Sequence, residues 1–180
     1  MSKVTVSAAG FPVVQTQTVA GYTIPVKGYV GTMPVNPNTG NGYRDITAGW
    51  AGCAGGYIGS AAHAHNAILF GNNIVSEATA ISGVALKGLL AKIGAKYNPC
   101  HMRRLCKAGM LVRCGAHQTP AFYVAPEFQK HQKAKVGPGG YLLSVNDTAG
   151  QSDATKAFNK AKAAKAAKAA KPAKAAKPAK

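Results

Sequence analysis

The side chains best placed to do chemistry lie between residues 98 and 118. Asn98-Pro99-Cys100-His101-Met102-Arg103-Arg104-Leu105-Cys106-Lys107-Ala108-Gly109 reads as a short helix. Asn98 is its N-cap, Pro99 takes the first helical position and Gly109 ends it. Met102, Leu105 and Cys106 form an apolar stripe, which leaves His101, Arg103, Arg104 and Lys107 as donors on the outer side. Such donors grip phosphates, and an arginine can also bond a guanine edge with two N–H groups. The start of the helix adds backbone N–H groups suited to a phosphate. Arg113, His117 and Gln118 follow on a predicted strand and turn.

A metal site is the competing use of the same stretch. Cys100, Cys106, Cys114 and His117 are spaced C-x5-C-x7-C-x2-H. Zinc ligand pairs usually stand two to four residues apart, so only the last pair fits. Cys100 and Cys106 also point to different sides of a helix. The four cysteines therefore read as reduced thiols, those of the helix and strand as small core residues, and no metal or cofactor is expected. His63 and His65 do not share a helical face. The sequence holds no phosphate loop, dinucleotide fingerprint or nucleophile elbow, and its acidic residues are scattered. No enzyme is expected.

These donors need elements to hold them. Residues 58–71 (IGSAAHAHNAILFG) predict a first helix capped by Ser60. Residues 82–94 (SGVALKGLLAKIG) predict a second, with Leu86, Leu89, Leu90 and Ile93 on one face. The helix at 98–109 is the third. Strands at 110–114 and 121–124 flank a loop at 115–120, and Pro126 closes the unit.

The pattern Met102-x-x-Leu105-x-x-Ala108-Gly109-Met110-Leu111-Val112 resembles the recognition helix and first wing strand of winged helix-turn-helix DNA-binding domains. The resemblance implies three helices with a β-wing over 58–128 and a third helix seated in the major groove. It also implies a wing, carrying Arg113, His117 and Gln118, that touches the backbone or minor groove. Ser82-Gly83-Val84-Ala85-Leu86 is similar to the opening of the second helix in linker histones.

The rest of the chain divides by composition. Residues 1–57 carry a net charge of +2 and are rich in Gly, Thr, Val and Pro; they read either as irregular or β-rich structure or as an extended arm that orders against a partner, and as able to self-associate. Residues 129–152 read as a polar linker. Residues 153–180 are a low-complexity Lys/Ala/Pro tail, read as disordered, with Lys156, Lys160, Lys162, Lys165, Lys168, Lys171, Lys174, Lys177 and Lys180. It resembles linker-histone tails, and its lysines can neutralise phosphates.

The whole chain of 180 residues has a formal net charge of +17, which points to a polyanionic partner. The fold class expected is α+β. The partner expected is nucleic acid, duplex DNA before RNA, and the place intracellular, on a nucleoid or chromatin. The alternative is a structural protein of a virion or ribosome. No membrane-spanning stretch and no secretory signal are expected.

Overall fold

The structure, a computed structural model, describes residues 4–6, 12–35 and 40–135, and for Val6 and residues 133–135 the backbone alone. The described chain is mixed α+β, with four helices and three small antiparallel sheets. The Lys/Ala/Pro tail and most of the expected linker lie outside the described residues.

The N-terminal segment forms two ribbons. β1 (Val4–Val6) pairs with β2 (Pro12–Val14), and β3 (Thr16–Val19) pairs with β4 (Tyr22–Pro25). Ala20 and Gly21, both at positive φ, make the two-residue turn that joins β3 to β4. The proline of β4 is its last residue, where losing an N–H does least harm.

α1 (Ala61–Phe70) runs through the middle of the molecule. Ser60 caps it by accepting the His63 amide at 3.1 Å. Every residue from His63 to Phe70 is buried, so this helix is covered on all sides. β4 is tied to the end of α1 by paired amides. The Thr23 N–H donates to Asn72 Oδ1 at 2.8 Å, and Asn72 Nδ2 donates to the Thr23 carbonyl at 2.9 Å.

Next come the two-residue strand β5 (Ile81–Ser82), α2 (Gly83–Lys92) and α3 (Pro99–Lys107). Ser82 accepts the Ala85 amide at 3.1 Å, and Leu86, Leu89, Leu90 and Ile93 are all buried. β6 (Leu111–Cys114) and β7 (Ala121–Val124) follow, in the sheet order β5-β7-β6. β7 is therefore central and pairs antiparallel with both neighbours.

Two expectations are corrected. Residues 129–135, expected as the start of the linker, are helical, because α4 (Pro126–Lys135) follows β7 at once. Proline is favoured at a first helical position, and Glu127 in the first turn complements the helix dipole. Phe128, the helix's one large apolar side chain, is fully buried. It packs on Phe70, with centroids 4.9 Å apart, and edge-on to Trp50 at 5.1 Å. Side-chain amides then stitch the helix down: Gln129 Nε2 to the Val124 carbonyl at 2.7 Å and Gln132 Nε2 to the Phe70 carbonyl. The helix count is thus four rather than three among the described residues.

The second concerns residues 1–57. Ile24, Tyr29, Tyr43 and Ile46 belong to the same buried cluster as Leu69, Leu90, Leu105 and Phe128. The described part of this segment is not an extended arm. Its apolar side chains would otherwise stand in water, and joining the common core removes them from it.

Candidate nucleic-acid interface

α3 is amphipathic in the sense the sequence requires. Asn98 Oδ1 accepts the His101 amide at 3.1 Å, which starts the helix at Pro99. Met102 and Leu105 are buried. Cys100, Arg103, Arg104 and Lys107 are exposed, at positions i, i+3, i+4 and i+7 of one face. Among the described residues none of the three cations has an ion-pair partner; the ion pair present is Lys130–Glu127 on α4, at 3.3 Å. The three side chains are therefore available to an external anion.

The far edge of this face is the β6–β7 loop. Arg113 is exposed, and its Nη2 donates to the His117 carbonyl at 3.0 Å, which braces the loop. Gly115 turns it at φ +77°, where a Cβ would sit 2.8 Å from the Thr119 carbonyl oxygen. His117 and Gln118 are exposed at the tip. At the other end, Lys96 and Asn98 border a recess of about 260 Å³ between the starts of α1 and α3. The nine tail lysines, Lys156 to Lys180, lie outside the described residues.

His101 departs from the expected outer row. Its Nε2 lies 2.9 Å from Asn66 Oδ1, and the ring stands edge-on to His65 at 5.4 Å. Asn66 Nδ2 donates to Asp45 Oδ2 at 2.6 Å, so Asn66 Oδ1 is the acceptor and His101 Nε2 carries the proton. Asp45 is fully buried. Its Oδ1 accepts from the Gly56 amide at 3.1 Å, the Thr47 amide at 3.0 Å and the Thr47 hydroxyl. A chain of hydrogen bonds thus runs from the N-terminal segment through α1 to α3. Burial, then the neighbouring His65, pushes the His101 pKa down to about 4; Asp45 opposes this and Arg104 adds to it. His101 is neutral at physiological pH and serves as a strut, not as an external donor.

The contacts of the two α1 histidines are also internal. His65 Nδ1 donates to the Ala61 carbonyl at 2.8 Å and Nε2 accepts the Asn98 amide at 3.0 Å, which seats the start of α3 on α1. His63 Nδ1 bonds the Tyr29 hydroxyl, which also accepts the Gly59 amide at 2.7 Å. His63 Nε2 is buried with no partner among the described residues. Burial lowers the His63 pKa to about 4, against a smaller opposing pull from Asp45.

Cys100 is exposed and is not the core residue expected from the sequence, because Asn98 and Pro99 set the helix phase so that position 100 joins the outer row. Cys53, Cys106 and Cys114 are half-buried, and burial raises the thiol pKa of Cys53 and Cys106. Among the described residues no three His, Cys, Asp or Glu side chains converge as metal ligands. No helix there is long and apolar enough to cross a membrane.

Comparison with family models, with curated proteins and with solved structures finds no match.

The Asp45–Asn66–His101 chain was not legible in the sequence. Asp45 is the single acidic residue in the first 75 positions, and that isolation is the one available signal.

Proposed function

We propose that this chain is a non-enzymatic nucleic-acid-binding protein whose α3 enters the major groove of duplex DNA as the recognition helix of a winged helix. The observation that carries the reading is the unpaired row of Arg103, Arg104 and Lys107 on α3, with Arg113 on the adjoining strand β6. The order α1-β5-α2-α3-β6-β7, with β7 central in the sheet, supports it. It is the order in which a winged helix places its recognition helix and wing. An α-helix fits the major groove, and arginines there read guanine or hold phosphate.

The role proposed is architectural or regulatory, on a nucleoid or chromatin. The lysines from Lys156 to Lys180 add a sequence-independent attraction through counterion release. If about six to nine of them meet phosphates, the slope of log K against log salt is about −5 to −8 for the tail alone.

The test is a salt-titrated comparison of duplex DNA, single strands and structured RNA. Duplex DNA is expected to bind most tightly, and a double Arg103→Ala, Arg104→Ala variant to lose affinity for it. Equal affinity for all three, unchanged in the variant, would refute the recognition-helix assignment.

A second reading, a structural protein of a nucleoprotein particle, is favoured by one observation. Met33 and Val35 are 57% and 54% exposed, an apolar pair that a neighbouring subunit could cover. Self-association abolished by Met33→Ser with Val35→Ser would support it.

A further inference from the structure

A small cavity of about 70 Å³ separates α3 from the loop at residues 53–56. Cys53, Ala54, Gly55 and Gly56 wall one side, and His101 and Arg104 the other. The backbone groups at both ends of this loop, on Cys53 and Gly56, are paired, and those of Ala54 and Gly55 have no partner among the described residues. The Gly49 N–H donates to the Cys53 carbonyl at 2.9 Å and the Cys53 N–H to the Trp50 carbonyl at 2.7 Å. The Gly56 N–H is held by Asp45. Between them, the consecutive N–H groups of Ala54 and Gly55 have no acceptor among the described residues.

The loop packs closely against Ala48. Gly55 is at φ +76°, and a Cβ there would lie 2.8 Å from Ala48 Cβ and 3.0 Å from its backbone. Arg104 is exposed and unpaired on the opposite wall. Its charge is felt in the cavity, since it pulls down the pKa of both Cys53 and His101. The Asp45 carboxylate lies behind the loop and opposes an anion, but its oxygens are already committed to four hydrogen bonds. Successive backbone N–H groups without acceptors, on residues that line one cavity with an arginine, are a recurrent way to hold an oxyanion.

We propose that this cavity is a phosphate subsite, in which Arg104 and the Ala54 and Gly55 N–H groups grip one phosphate of a strand lying along α3. The inference rests on the reading of α3 as the nucleic-acid face. It makes the N-terminal segment part of the interface and assigns Arg104 to the backbone, leaving Arg103 to read bases.

The test uses the full chain. Ala54→Asp puts a carboxylate on the exposed wall of the cavity, and Ala51→Asp adds the same charge at an exposed loop position outside it. Ala54→Asp and Arg104→Ala are each expected to lower the salt slope for duplex DNA by about one. Combined, they are expected to do no more than either alone, because both remove the same contact. Ala51→Asp is expected to leave the slope near that of the parent. Additive effects, or Ala54→Asp matching Ala51→Asp, would overturn the subsite.

A second readout needs no variant that must fold. Inorganic phosphate and a short duplex are titrated separately into the labelled parent chain, and the Ala54 and Gly55 amide resonances are followed. Both are expected to move with either titrant. Movement with inorganic phosphate but no duplex binding would uphold the phosphate subsite and refute the nucleic-acid reading. Duplex binding that leaves both amides unmoved would uphold that reading and refute the subsite.

Discussion

Burial keeps His63 and His101 neutral, and this has a consequence for acid stability. Both have pKa values lowered from 6.5 to about 4 in the folded chain. The unfolded chain takes up their protons near pH 6.5, so between 6.5 and 4 it binds more protons than the folded one. Stability therefore falls as pH drops through that window, by about 3 kcal/mol for the fully buried His63 and less for the partly exposed His101. Denaturant midpoints at pH 7.5 and 4.5 check this, and equal midpoints would contradict it. Asn66 makes a second residue-scale case. Asn66→Ala leaves Asp45 Oδ2 and the His101 Nε2 proton without partners, and is expected to lower stability by about 1–3 kcal/mol in thermal or denaturant melts.

Among the elements, α4 has the clearest dependence on one side chain. Phe128→Ala empties a site between Trp50 and Phe70 and is expected to cost about 3–5 kcal/mol. Trp50 is the single tryptophan, so its emission follows the unfolding directly. An unchanged midpoint would mean that α4 is not docked. The elements also show how far the sequence could be read. Ser60, Ser82 and Asn98 mark three helix starts, because capping is chemistry between residues three apart. α4 carries no comparable apolar period: Phe128 alone among polar residues anchors it, and it reads as linker until its partners are known. The network behind α3 is hidden for a related reason. It joins residues 21 and 35 positions apart, and no local pattern records such a pairing. The exposed face of α3 is more legible, since Arg103, Arg104 and Lys107 follow from helical spacing once Met102 and Leu105 are placed inside. His101 fails that argument only because an acceptor on α1 draws it inward.

At the scale of the whole molecule, the core unites the N-terminal segment with the helices that follow it. A fragment beginning at residue 58 would lose Ile24, Tyr29, Tyr43 and Ile46 from that core. A shortened chain for experiment therefore keeps residues 1–135 together. Removing the tail is expected to flatten the salt dependence of binding without abolishing duplex recognition. The most direct measurement is then the affinity of the 1–135 chain for duplex DNA across a salt series, beside its Arg103→Ala, Arg104→Ala counterpart. The expected result is that 1–135 binds duplex DNA and the double variant binds at least about tenfold more weakly, as loss of about 1–3 kcal/mol per contact implies. If 1–135 binds no duplex DNA at low salt, or the two chains bind alike, α3 is not the recognition helix.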